Sequence, residues 1–204
     1  SMIFWSFGFL RMGTVGMVSQ AHGRNDYSEI LNIVIRNLIF VLLISIIIIL
    51  LQNYILSLSL KIFDLSDATR NLYKQYYQIR VYSAPGGLTL YIITGLFIGL
   101  QKTKTSSFAV GFFSILNILI SIVLVTKFDL NIKGVAYGTL FSALITSTVF
   151  LIYMFYYLSK YTKITVKLTQ ILNFKKIKDI FNINLNIFIR TILLTFSFLW
   201  FTYL

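Results

Sequence analysis

Long stretches without a charged residue alternate with short polar segments along this chain. Four of the stretches cover residues 37–60, 81–101, 105–126 and 134–159. An α-helix rises about 1.5 Å per residue and the hydrocarbon layer of a bilayer is about 30 Å thick, so roughly 20 apolar residues span it with every backbone amide paired. Each stretch is long enough, and the pattern predicts four transmembrane helices.

Two further spans are predicted at the ends of the chain. Residues 1–20 are apolar except for Arg11, and residues 191–204 are uncharged but too few to cross a bilayer. The first stretch has no charged start and no cleavage motif, so it does not resemble a signal peptide. We expect a fragment of a longer membrane protein with six helices, which opens within or just before one span and closes inside another.

Composition supports the membrane class, because 57% of residues are hydrophobic, 12% are charged and the mean hydropathy is +0.82. The chain has 18 Lys and Arg against 6 Asp and Glu, a net charge of +12. The basic residues lie between the apolar stretches, where they meet lipid headgroups and set orientation. We therefore expect contact with membrane lipids and none with nucleic acid. The side that holds residues 160–185 is richer in basic residues and is predicted to be cytoplasmic.

No enzymatic or metal site is expected. The chain has no Cys and one His, and its six acidic residues all fall in connections. It has no Gly-rich phosphate loop with Lys and no serine nucleophile elbow. Arg11, inside the first span, is predicted to be an ion pair or hydrogen-bonded anchor. His22, just after that span, is expected to be solvated.

Several small or polar residues stand inside the spans. Pro85 removes a helical amide beside Gly86 and Gly87, which predicts either a static kink or a hinge. Two small-xxx-small pairs are predicted to pack against neighbouring helices, and they are Gly95 with Gly99 and Gly134 with Gly138. Ser114, Asn117 and Ser121 share one helix face at i, i+3, i+7 spacing. That face either bonds another helix or lines a polar cavity.

Three segments of this sequence resemble the multidrug and toxic-compound extrusion (MATE) transporters, in particular their DinF-like branch. They read FLRMGT at residues 9–14, GLFIGLQKTKT at 95–105 and IKGVAYGTLFS at 132–142. The resemblance implies an all-α polytopic helix bundle, part of a twelve-helix, two-lobe transporter. Members exchange Na⁺ or H⁺ for cationic amphiphilic substrates by alternating access.

The resemblance also implies a division of the chain. Residues 1–159 would be five helices of the first lobe without its first helix, 160–185 a cytoplasmic inter-lobe loop, and 186–204 the start of the first helix of the second lobe. The sequence leaves two alternatives for residues 160–185, an interfacial helix on the membrane surface and a solvated linker.

The candidate site implied by the resemblance is Asn117, Ser121 and Thr139, with Ser121 standing where the branch usually has Asp. The expected function is secondary active efflux across a bacterial inner membrane, with no cofactor besides the coupling ion. The alternatives are a lipid-linked saccharide flippase of the same superfamily and a non-transporting scaffold or remnant.

Overall fold

A computed structural model describes residues 7–62, 66–162 and 174–203, which are helical and contain no β-strand. The helices, in chain order, are α1 Phe9–Gly23, α2 Tyr27–Leu50, α3 Gln52–Ile62, α4 Asp67–Arg80, α5 Ala84–Gly99, α6 Thr103–Thr126, α7 Asn131–Ser159 and α8 Phe174–Tyr203. A single 3-10 turn, Val81–Ser83, lies between α4 and α5.

Four helical segments of the described chain are long and apolar enough to cross a membrane, and they are Tyr27–Leu50, Asp67–Gly99, Thr103–Thr126 and Asn131–Ser159. The four predicted crossings are thus present. Helix α6 shows why lipid is their solvent, since Phe108, Ile115 and Ile118 are 66%, 59% and 59% exposed. Apolar exposure of this extent is stable in hydrocarbon and would not be in water.

Two of the four segments begin earlier than the uncharged stretches predicted. Helix α2 starts at Tyr27 because the Asp26 carboxylate accepts a hydrogen bond from the Glu29 amide at 2.9 Å, which caps the first turn. Helix α4 starts at Asp67, whose negative charge is favourable in a first turn. Polar residues at a helix end are compatible with a span, because they lie outside the hydrocarbon.

Helix α8 begins at Phe174, so helical structure starts inside the segment predicted as loop 160–185. The apolar and basic residues that predicted either an interfacial helix or a linker are at positions 164–172, which lie outside the described residues. The division into 1–159, 160–185 and 186–204 stays a prediction.

The chain forms two compact units. The first contains Ser1–Ile39, Tyr91–Ser106 and Met154–Leu204, and the second contains Phe40–Leu90 and Ser107–Tyr153.

In the first unit, α5 packs closely on α1. A Cβ on Gly95 would lie 2.8 Å from the Arg11 carbonyl oxygen, and one on Gly99 would lie 2.8 Å from Cβ of Val18. Any larger residue would push the helices apart. The turn from α5 into α6 is tight, with Gln101 in the left-handed region at φ 60° and the Lys102 amide bonded to the Phe97 carbonyl.

Candidate functional site

The second unit contains a close approach between α6 and α7. A Cβ on Gly138 would lie 2.9 Å from Cα of Ser121 and would overlap the Ser121 hydroxyl. One turn away, a Cβ on Gly134 would lie 3.0 Å from a methyl group of Val125. The absence of side chains at these two glycines lets the polar groups of the two helices meet.

The three predicted site residues form one hydrogen-bonded chain at this approach. The Ser121 hydroxyl donates to Oδ1 of Asn117 at 3.2 Å. Nδ2 of Asn117 donates to Oγ1 of Thr139, also at 3.2 Å. The Thr139 hydroxyl in turn donates to the backbone carbonyl of Val135 at 3.0 Å. The chain thus begins on α6 and ends on α7. We call Asn117, Ser121 and Thr139 the polar network.

The polar network keeps unused capacity for a ligand. Asn117 has a second N–H, and lone pairs remain on its Oδ1 and on the hydroxyl oxygens of Ser121 and Thr139. Thr139 is 8% exposed, while Asn117 and Ser121 are half-buried. All three groups are neutral and none titrates in the physiological range. The network can therefore offer neutral oxygens to a cation or a polar group, but it cannot carry a proton.

Other polar residues of these two helices do not join the polar network. The Ser114 hydroxyl donates to the Val110 carbonyl of its own helix at 3.0 Å and is exposed. Ser142 is buried and donates to the Gly138 carbonyl at 2.6 Å. Thr146 is fully buried, and its hydroxyl has no hydrogen-bond partner among the described residues. Ser114 therefore shares a helix face with Asn117 but does not belong to the polar network.

The predicted hinge residues lie where α-helical bonding is interrupted. Pro85 is the second residue of α5, and Ala84 separates it from the 3-10 turn Val81–Ser83. The Ser83 hydroxyl donates to the Arg80 carbonyl at 2.6 Å and accepts from the Arg80 guanidinium. A Cβ on Gly86 would lie 2.7 Å from the Ala143 backbone, whereas one on Gly87 would meet nothing within 4 Å. Gly86 is thus fixed by packing on α7, and Gly87 is not.

In the first unit, Glu29 binds two basic residues. Nη1 of Arg36 donates to Oε1 at 3.2 Å, and Nζ of Lys176 donates to Oε2 at 2.7 Å. The sequence offered one signal for the first pair, because positions seven apart share a helix face. The second pair joins α2 to α8 and had no signal in the sequence.

The anchor role of Arg11 stays a prediction, because Arg11 is exposed and its side chain has no hydrogen bond or ion pair within residues 7–62, 66–162 and 174–203. The expectation for His22 is wrong. His22 is not in a solvated loop, since it belongs to the last turn of α1 and its Nδ1 is buried without a hydrogen-bond partner among the described residues. Its ring contacts Tyr27 edge-on at 5.9 Å, because the turn into α2 is only a few residues long.

Comparison with known proteins identifies relatives. The MatE family model matches residues 1–123. DNA damage-inducible protein F of Escherichia coli (strain K12) is 30% identical over 139 residues, which are 68% of this chain and 30% of that protein. The chain therefore spans about a third of this curated relative.

Solved structures share the fold. One is a MOP superfamily transporter from Pyrococcus furiosus, described as having a binding pocket of reverse polarity that suggests a different function. The match covers 90% of this chain and 40% of that one, with 22% sequence identity and a TM-score of 0.77. The match to an outward-facing multidrug resistance MATE family transporter covers 82% of this chain and 39% of that one, with 22% identity and a TM-score of 0.71. The match to an inward-facing structure of such a transporter covers 90% of this chain and 41% of that one, with 21% identity and a TM-score of 0.75. At such identities these likenesses show the fold alone.

Fold and hydropathy together define an integral, multi-pass, all-helical membrane protein. The family is one of transporters and not of enzymes. The chain belongs to the MatE family, and the similarity to DNA damage-inducible protein F confirms the DinF-like resemblance found in the sequence.

Proposed function

We propose that the whole protein is a secondary active efflux transporter of a bacterial inner membrane, and that this chain supplies most of its first lobe. It exchanges Na⁺ or H⁺ for cationic amphiphiles by alternating access. The observation that carries the proposal is the MatE match over residues 1–123, which includes Asn117 and Ser121 of the polar network. No observation favours the flippase or the non-transporting remnant.

In this proposal the polar network lines the cavity of the first lobe. Its acceptor oxygens stabilise a cation, and the hydrogen bond between Asn117 and Thr139 holds the amide in place at 3.2 Å. Because the network has no titratable group, it binds the substrate or Na⁺ directly and transfers no proton. Any H⁺ coupling must then use a carboxylate outside it.

Pro85 and Gly87 provide the hinge of the first lobe. Pro85 lacks the amide that would bond the Val81 carbonyl, so bending there costs less than in an unbroken helix. Gly87 has open space around it. Gly86, fixed against Ala143, is the pivot about which the segment bends.

The test is efflux of a fluorescent amphiphilic cation from vesicles that contain the full-length protein. We expect efflux only when an inward Na⁺ or H⁺ gradient is imposed, and applying the two gradients separately identifies the coupling ion. An anionic dye of similar size is the comparison substrate. It is included because one transporter of similar fold is described as having a binding pocket of reverse polarity. Retention of the cation under both gradients would contradict the proposal.

A further inference from the structure

Two lysines of the first compact unit stand over consecutive tyrosine rings of α7. Nζ of Lys102, in the turn from α5 into α6, lies 4.6 Å from the ring centroid of Tyr157. Nζ of Lys160, which directly follows α7, lies 4.5 Å from the ring centroid of Tyr156. At these distances the face of an aromatic ring attracts a positive charge. We call these four residues the basic-aromatic face.

The basic-aromatic face is held in place by its neighbours. Tyr157 is 9% exposed, and its ring contacts Phe97 edge-on at 6.1 Å and Tyr161 at 5.2 Å. Tyr161 in turn stacks on Tyr27 of α2, at 4.5 Å with 10° between the ring planes. The backbone of Lys102 is fixed as well, because its amide donates to the Phe97 carbonyl at 2.7 Å. The face is therefore a formed structure and not a set of freely moving side chains.

The positive charge of the basic-aromatic face is not neutralised within the described chain. Residues 91–106 and 154–162, which contain the face, have three lysines and no acidic residue. Lys102 and Lys160 are exposed, and neither takes part in an ion pair among the described residues. A tyrosine ring is neutral and covers one side of an ammonium group, so other N–H donors remain for an anion. The face therefore fits a ligand with negatively charged oxygens.

The position of the basic-aromatic face indicates where that ligand comes from. The face lies where α5 and α7 end and α6 begins, at Gly99, Ser159 and Thr103, and the end of a span meets the lipid headgroups. Tyr156 is 59% exposed, and an exposed tyrosine at the end of a span is typical of the membrane interface. Anionic lipids supply phosphate oxygens at this depth and are attracted by basic residues.

We propose that the basic-aromatic face binds the phosphate of an anionic phospholipid, with Lys102 and Lys160 as its cationic ligands. The tyrosine rings hold the two ammonium groups in place, and the exposed ring of Tyr156 contacts the apolar part of the same lipid. This site differs from the general attraction of basic loops to a membrane, because it depends on two particular lysines and on the rings beneath them.

The experiment measures lipid binding to the delipidated full-length protein in detergent by native mass spectrometry. Phosphatidylglycerol is compared with phosphatidylcholine of the same acyl chains, and the wild type should bind phosphatidylglycerol more tightly. Lys102→Gln and Lys160→Gln should each weaken that binding about five-fold, the effect of one basic residue at a membrane surface. Both variants should bind phosphatidylcholine as the wild type does. Tyr156→Leu, which keeps both lysines, should also weaken the binding of phosphatidylglycerol.

Lys133→Gln is the control, because Lys133 is also exposed and lies in the first turn of α7, at the opposite end of the helix. It should bind both lipids as the wild type does. An equal loss for Lys133→Gln, or equal affinity of the wild type for the two lipids, would overturn the site. Inorganic phosphate should not displace phosphatidylglycerol, and complete displacement would assign the face to a soluble anion instead. The measurement requires no transport, so it is independent of the proposed function.

Discussion

Asn117 on α6 donates a hydrogen bond to Thr139 on α7 across 3.2 Å, at a level where the nearby Gly138 leaves no side chain between the helices. In lipid, where no hydrophobic force draws helices together, such a bond and such close packing hold two spans in register. In the proposed transporter, the same bond also orients the amide group of Asn117 for binding a ligand. Structure and proposed function therefore depend on one contact.

Replacing Thr139 with Val removes the acceptor of that bond while keeping the shape of the side chain. We expect a loss of roughly 0.6 to 1.7 kcal/mol of stability, from the average to the largest value measured for interhelical hydrogen bonds in a membrane protein, together with slower efflux. Thermal unfolding in detergent and vesicle efflux measure the two effects. Thr148→Val is the control, because Thr148 lies on the same helix, is exposed and bonds only its own helix at Leu144. Equal behaviour of the two variants would contradict the role of the network.

A methyl group at Gly138 would separate α6 from α7. Gly138→Ala places a Cβ 2.9 Å from Cα of Ser121, and overpacking of this kind costs about 1–3 kcal/mol. We expect a lower unfolding temperature and weaker transport. Gly111→Ala on α6 should leave both unchanged, because a Cβ there meets nothing within 4 Å. A stable and active Gly138→Ala protein would show that the close approach is not needed.

The polar network contributes no pH dependence of its own, and Ser121→Asp should create one. The carboxyl group added beside Asn117 binds cations when it is ionised and loses that ability when it is protonated. We expect substrate affinity in the variant to rise with pH, and the ratio of variant to wild-type affinity to rise with it. Ser121→Asn, which does not titrate, should keep the wild-type profile. A Ser121→Asp variant whose substrate affinity equals that of the wild type at every pH would place position 121 outside the cavity, because an ionised carboxylate there would strengthen cation binding.

Replacing Pro85 with Ala restores the amide that an unbroken helix requires. If Pro85 is part of a hinge, the variant should be as stable as the wild type or more so, yet transport more slowly at saturating substrate. The checks are the unfolding temperature and the maximal efflux rate. A static kink would give the reverse pattern, with lower stability and an unchanged rate.

The spans were predictable because lipid requires long uncharged helices, and α6 and α7 lie close to their expected ranges. The starts of α2 and α4 were not predictable, because a charged residue in a hydropathy pattern indicates a loop. Asp26 instead caps the first turn of α2, and Asp67 lies in the first turn of α4, where the helix dipole favours a negative charge. Asn117 and Ser121 were assigned to one face by spacing, but Thr139 as their partner came only from the family resemblance. The pair of Glu29 with Lys176 depends on how distant helices pack, which spacing along one helix does not encode.

The most direct test of the account is the accessibility of the polar network to water. A cysteine is introduced by Ser121→Cys in the full-length protein, with Ile115→Cys on α6 as the comparison, since Ile115 is 59% exposed and apolar. A membrane-impermeant maleimide should label position 121, and substrate should slow the labelling, whereas position 115 in lipid should stay unlabelled. Labelling of position 115 but not of position 121 would contradict a cavity lined by Asn117, Ser121 and Thr139.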